Sequence, residues 1–325
     1  MKKTPILLCI LVLLLSLPSC APAREEARLT VVCTTYPIYL FASSITQGVE
    51  GVAVERLDTG STSCLHDYTL SMADMKRLER ANIIVINGAD LEEFLEDALA
   101  ASDAAVIDCS EGVELLESLS HHHDEEDRSH DGHDHGHWDP HYWMDPANAR
   151  IMAGNVLAGL RAADPDHTEE YTANARRADG VLLSCETSLQ NLMMEFRPRM
   201  GERPGLITFH DGFQYFARAC GVPLLAAIEE EAGSEASAHE IVEITELVKE
   251  YNIPVIFTEV NGSDATAAAI ARETGCRVAR LTMLMDGPME AGGGEDDLLD
   301  NYFALYENAV TMINGFAGES VVPKG

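Results

Sequence analysis

From residue 29 onward the chain alternates short apolar segments with longer amphipathic ones, and this alternation restricts its fold more than any other feature. Strands are expected at 29–34, 52–57, 83–86 and 104–107, with helices from about residue 37, over 71–81 and from residue 91. The series stops, then restarts: strands at 206–209, 222–228, 253–258 and 277–282 interleave with helices at 212–219, 238–250, 264–274 and 297–314. Strands that alternate with helices build βαβ units, and such units make a largely parallel sheet. Between the two series runs one helical stretch, 167–196, with no proline and only Gly180 inside it. At ~1.5 Å per residue it spans roughly 45 Å, enough to bridge two lobes. The expected fold is therefore α/β, with two lobes that each hold a mostly parallel sheet flanked by helices, joined by one long rigid helix. The divisions fall at 29–165 for the first lobe, 166–198 for the linking helix and 199–325 for the second lobe.

The residues ahead of this pattern read as an export signal. Lys2 and Lys3 precede an apolar run, 6–15, that is too short to span a bilayer comfortably. Leu17-Pro18-Ser19-Cys20 follows and resembles a lipobox, in which the cysteine is lipidated and becomes the new N-terminus. Residues 1–20 are thus expected to be a signal peptide with a lipobox and 21–28 a polar tether. Cys20 would fix the protein to membrane lipid on the extracytoplasmic face of the cell membrane. An ordinary signal peptide with an incidental cysteine is the alternative. Six cysteines remain beyond Cys9 and Cys20, with no Cys-x-x-Cys pair among them. They are expected to be buried free thiols, neither a zinc finger nor a redox motif. The net charge of −32 excludes a nucleic-acid partner, which needs clustered Lys and Arg, and suits attraction of cations.

Histidine carries the chemistry. Seven of the twelve lie in the tract 121–137, which also holds six carboxylates. So polar a stretch cannot build a core and is expected to form a loop, acting as a weak collector of metal or as a solvated spacer. The collector is the preferred reading. Of the other five, three stand where a ligand belongs, because the crevice of an open parallel sheet lies beyond the carboxyl ends of its strands. His66 follows the second strand and His210 follows 206–209 directly. His141 lies in Asp139-Pro140-His141-Tyr142-Trp143-Met144-Asp145-Pro146, ahead of a helix with Asp145 as N-cap and Pro146 at its first position. Three imidazoles in comparable positions suit a borderline divalent metal. His167 and His239 begin helices and are expected to be structural.

Three stretches carry a family resemblance. They are His66-Asp67-Tyr68-Thr69-Leu70-Ser71 with the downstream 81–88, the segment 139–146, and Thr208-Phe209-His210-Asp211-Gly212-Phe213-Gln214-Tyr215-Phe216. In order, over about 29–316, the chain resembles the metal-binding solute-binding proteins of zinc and manganese ABC importers. The resemblance implies two lobes with the metal between them, His66, His141 and His210 as ligands, and delivery to an ABC permease in the cytoplasmic membrane. It implies a protein that is not an enzyme, and the chain is expected to act as a monomer. Manganese-type members carry a carboxylate at the third ligand, so His210 favours Zn2+, and the histidine tract resembles zinc-type members. The sequence departs from the family where Leu-Asp-Pro-Leu is usual, since Leu281-Thr282-Met283-Leu284 puts threonine at the aspartate. The fourth donor would then be Glu259, Asp286 or a water, with water preferred.

Two other readings compete with it. A zinc-dependent hydrolase also uses three ligands and a water, and Asp67 or Asp211 could orient an imidazole or activate that water. Yet no His-Glu-x-x-His occurs, and His239-Glu240-Ile241-Val242-Glu243 lacks the second histidine. An extracellular metal store or adhesin would make the histidine tract its main device. For the anchor, Cys20→Ala is expected to yield an unlipidated protein, seen by intact mass and membrane partitioning. A variant of unchanged mass that still sediments with membranes would rule the lipobox out.

Overall fold

The computed structural model describes residues 27–59, 68–119, 137–202, 204–227, 238–285, 287 and 294–318. Each series of apolar segments forms its own four-stranded sheet. The first contains β1 (Leu29–Cys33), β2 (Val52–Arg56), β3 (Ile83–Ile86) and β4 (Ala105–Asp108), in the order β2-β1-β3-β4. The second contains β5 (Leu206–Thr208), β6 (Leu224–Ala227), β7 (Val255–Glu259) and β8 (Arg277–Leu281), in the order β6-β5-β7-β8. Every pairing is parallel, with Val31 opposite Val54 and Ile83 in the first sheet. The two orders are the same, so each sheet changes direction between its first and third strands. That switch point, β1/β3 in one lobe and β5/β7 in the other, is where an open α/β sheet leaves a crevice beyond its carboxyl ends. The four switch strands are apolar and nearly wholly buried, as strands covered on both faces must be.

The helices are α1 (Tyr36–Thr46), α2 (Met72–Glu79), α3 (Glu96–Ala100), α4 (Pro146–Ala163), α5 (Thr168–Phe196), α6 (Gln214–Cys220), α7 (Ala238–Glu250), α8 (Ala265–Thr274) and α9 (Glu295–Ala317). Local chemistry starts two of them. Ser71 and Asp74 close a capping box at α2, and the Asp145 side chain accepts from Ala147 N at α4, whose first residue is Pro146. The helix expected from residue 91 begins instead as a 3-10 turn, Glu93–Leu95, and its α-helical part is only α3. The last helix is longer than the pattern predicts. Five of the six cysteines beyond residue 20 are described and all five are free, with Cys33, Cys109, Cys185 and Cys220 buried and Cys276 half-buried. The signal segment with Cys20, the loop with Cys64 and His66, residues 121–136 of the histidine tract, and Asp286 lie outside the described residues. No described helix is long and apolar enough to cross a membrane.

One hydrophobic core runs through both lobes. It extends from β1 and α1 through α4 and α5 to β5, β7 and α9, while smaller clusters line the outer face of each sheet. Helix α5, 29 residues and about 44 Å long, packs against α4 and α1 on one side and against α9 and α6 on the other. Helix α1 is buried at every position because α4, α5 and α9 close over the side that β1 and β2 leave open.

A buried residue of the long helix also ends α1. The Asn174 amide donates to the carbonyls of Ile45 and Gln47, both at 2.9 Å, and so satisfies carbonyls that a helix C-terminus leaves over. Asn174→Ala is expected to cost about 1–3 kcal/mol by leaving these acceptors unpaired in a buried interface. Thermal or urea unfolding should show the loss, with metal affinity unchanged.

Candidate metal centre

His141 is oriented by the residue two places before it. Asp139 Oδ1 accepts from the backbone N–H of His141 at 2.9 Å and lies 2.7 Å from the ring Nδ1. The carboxylate therefore folds the Pro140 segment back on itself and holds the Nδ1–H, which leaves Nε2 to face outward as a ligand atom. After the 3-10 turn Tyr142–Met144 the chain enters α4 at its Asp145 cap. His210 comes two residues beyond β5, where Thr208 Oγ1 donates to the His210 carbonyl at 2.7 Å. Glu259, the last residue of β7, places a carboxylate oxygen 3.7 Å from His210 Nδ1. Each lobe thus supplies one buried imidazole with an acid of the same lobe behind it.

The two rings meet across the lobes. His141 Nε2 and His210 Nε2 are 3.2 Å apart, with the ring planes at 86°. Two nitrogens bound to one tetrahedral zinc at ~2.0–2.1 Å stand about 3.3 Å apart, so the pair already has the edge that a zinc ion would occupy. A third group joins them. His141, His210 and Asp211 offer ligand atoms that all lie within 4.8 Å of one another. Asp211 is half-buried and accepts from Ser118 Oγ at 3.3 Å.

Gly212 makes room for this convergence. A Cβ there would stand 2.9 Å from Cδ2 of both histidines and 2.6 Å from the Met283 methyl group. The surroundings also tie the lobes together at this point. Trp143 Nε1 donates to the Met283 carbonyl at 2.8 Å, Tyr302 OH to the Trp143 carbonyl at 3.2 Å, and Tyr215 OH to the Asp139 carbonyl at 3.0 Å.

Of the residues singled out in the sequence, His141 and His210 come together, and His66 and Asp286 lie outside the described residues. Glu259 stands behind His210 on its Nδ1 side and so supports the ring. Thr282 is engaged in its own turn: its hydroxyl accepts from Leu284 N, and its backbone pairs with the Asn308 side chain. His167 pairs with Asp164 at 3.0 Å, and His239 is exposed beside Glu243. Asp211 is the group that sequence reasoning undervalued, naming it only as an orienting or water-activating acid. Its signal was its place directly after His210 at the end of a switch strand.

Burial disfavours a charged His141, but the hydrogen bond to Asp139 and the charges of Asp139, Asp211 and Glu259 outweigh it and raise the pKa above the ordinary value. A protonated imidazole cannot coordinate, so zinc competes with a proton that is held more firmly than usual. Zinc affinity is therefore expected to fall as pH drops, and to start falling above pH ~6.5, the midpoint of an unperturbed imidazole. Competition titrations against a chelator between pH 5 and 8 check this; a flat profile would point to carboxylate ligands alone.

The model of the family described as zinc-uptake complex component A, periplasmic, matches residues 31–315. Among curated relatives, the zinc-binding lipoprotein AdcA of Streptococcus pneumoniae is 26% identical over 311 residues, 94% of this chain and 59% of that protein. The high-affinity zinc uptake system protein ZnuA of Bacillus subtilis is 28% identical over 262 residues, 79% of each chain. The chain spans 58–59% of the length of the streptococcal relatives it matches. Among solved structures, a crystal structure of ZnuA superimposes with a TM-score of 0.71 at 23% identity, covering 89% of this chain and 99% of that one. This last likeness shows the shared fold.

Proposed function

The chain belongs to the family of zinc-uptake complex component A, and on that premise we propose that it binds one zinc ion between its lobes outside the cytoplasm and passes it to an ABC-type importer. The observation that carries this is the pair of imidazole nitrogens 3.2 Å apart, one from each lobe, each with an acid behind its other nitrogen. His141 and His210 hold the metal, Asp211 adds a carboxylate, and His66 supplies the third imidazole implied by the family resemblance. Glu259 and Asp139 orient the rings. Three carboxylates around neutral imidazoles balance a dication that would otherwise be buried at high cost. The working units are the lobes 29–165 and 199–325 with the linking helix 166–198 between them.

The family description is periplasmic, and the pneumococcal relative is named a lipoprotein, which supports an extracytoplasmic protein anchored through Cys20. Its partner is the membrane permease of an uptake complex, which it meets as a monomer. The tract 121–137, with its seven histidines and six carboxylates, gathers zinc weakly. His141, in contrast, is already fixed by Asp139.

Native mass spectrometry and zinc titration test this set. Deleting 121–137 is expected to preserve one tight zinc, and His141→Ala to remove it. Asp211→Asn and Glu259→Gln are each expected to weaken zinc less than His210→Ala does, since the imidazole takes away a metal bond that cannot be replaced. Loss of all tight zinc on deletion of the tract would overturn the assignment to the inter-lobe centre.

A further inference from the structure

At the switch point of the second sheet, β5 and β7 lead to His210 and end on Glu259. The matching strands of the first sheet, β1 and β3, lead to Thr34 and to Asn87-Gly88. A buried carboxylate stands between them: Glu92 accepts from Thr34 Oγ1 at 2.6 Å, from Asn87 N at 2.6 Å and from Gly88 N at 3.0 Å. The turn it closes is strained. Gly88, Ala89 and Asp90 have φ of 76°, 53° and 64°, three successive residues in the left-handed region, two of them with side chains. A Cβ on Gly88 would also fall 2.1 Å from Asp108 Oδ1. Strain of this kind persists only where the surroundings enforce it, and it gathers at functional sites.

What the turn presents is Asn87. Its Nδ2 donates to the Pro140 carbonyl at 3.0 Å and to the Gly88 carbonyl at 3.1 Å, and its own carbonyl accepts from Tyr142 OH. Both side-chain contacts are to acceptors, which settles the orientation of the amide. Pro140 and Tyr142 are the two neighbours of His141. Asn87 therefore holds the chain on both sides of the histidine, at Pro140 through its side chain and at Tyr142 through its backbone carbonyl, whereas Asp139 holds the ring itself. Asn87 Oδ1 has no hydrogen-bond partner among the described residues, an arrangement that stability alone would not favour.

We propose that Asn87, locked by Glu92 in the left-handed turn, is a positioning residue of the metal centre, setting the His141 backbone so that its Nε2 meets that of His210. This rests on the reading of His141 and His210 as the zinc-holding pair. The first lobe then spends its switch point on placing a ligand borne by a later segment, and the second lobe spends its own on bearing one.

The test measures zinc affinity, the visible spectrum of the Co2+-loaded protein, and the unfolding temperature for Asn87→Ala, Tyr142→Phe and Asn174→Ala. Asn87→Ala is expected to weaken zinc at least about tenfold, as loss of ligand-orienting groups does, and to shift the Co2+ bands. Tyr142→Phe, which removes one hydroxyl and should fold, is expected to weaken zinc severalfold with a smaller shift. Asn174→Ala, whose side chain bonds the carbonyls at the end of α1, should lower the unfolding temperature and leave affinity and spectrum alone. If the Asn87 and Tyr142 variants keep zinc within about twofold of the native protein with an unchanged Co2+ spectrum, the positioning role is wrong and the network is structural only. Should Asn87→Ala not fold, Tyr142→Phe decides by the same readings. Failure of the underlying site is seen separately, as tight zinc that survives His141→Ala.

Discussion

Two imidazole nitrogens 3.2 Å apart, each from a different lobe, are the constraint on which the rest of the structure depends. Bringing two such groups together in a buried place has a desolvation cost unless their other nitrogens are satisfied and something is to be bound between them. Asp139 addresses the first condition at His141 with a hydrogen bond, and Glu259 stands 3.7 Å from His210 Nδ1 as a charge of the same lobe. Gly212 keeps the space between the rings clear of any side chain. The excess of carboxylate around the pair favours a cation over an empty pair of neutral rings, and the raised pKa of His141 reports that same field.

A site divided between lobes is only as well defined as the lobes' relative placement. Here one core passes through both, with α5 along its length, and Trp143 and Tyr215 make hydrogen bonds from one half to the other beside the histidines. Large hinge opening would have to break this core, so the placement of the two rings also depends on the backbone segments around them. The end of β8 is one such place, because the Met283 carbonyl is bound by Trp143 and the Met283 methyl group borders Gly212. The 87–92 turn is another, coupled to His141 through Pro140 and Tyr142. Both segments border the residues that bear the imidazoles.

The parallel sheets follow from the apolar alternation, but their matched order explains why the chemistry collects where it does. Each sheet has its crevice at the carboxyl ends of its first and third strands, and the two crevices face the same inter-lobe space. One contributes His210 and Glu259. The other contributes no ligand among the described residues and is filled by Glu92, whose carboxyl is pushed up to about 7 by burial even with three donors on it. Thr282 is used otherwise: its hydroxyl closes the turn to Leu284, while Asp211, from the end of β5, lies beside the two imidazoles.

The sequence by itself determined the two βαβ series, the long uninterrupted helix, the cap at Asp145, and the importance of the segments around His141 and His210. These are local properties: periodicity, proline placement and capping act over a few residues and survive without knowledge of partners. It could not show that Asp211 faces the two rings, that Glu259 supports His210 from behind, or that Asn87 grips Pro140. It also missed the 3-10 start of the helix after Leu91, because the turn there is bent by Glu92 reaching back to the ends of β1 and β3. Each of these depends on residues far apart in the chain, 53 positions for Asn87 and Pro140 and 69 for the histidine pair. Only the packing of the two lobes around a shared core brings them to bonding distance, and no local preference of the chain encodes that distance.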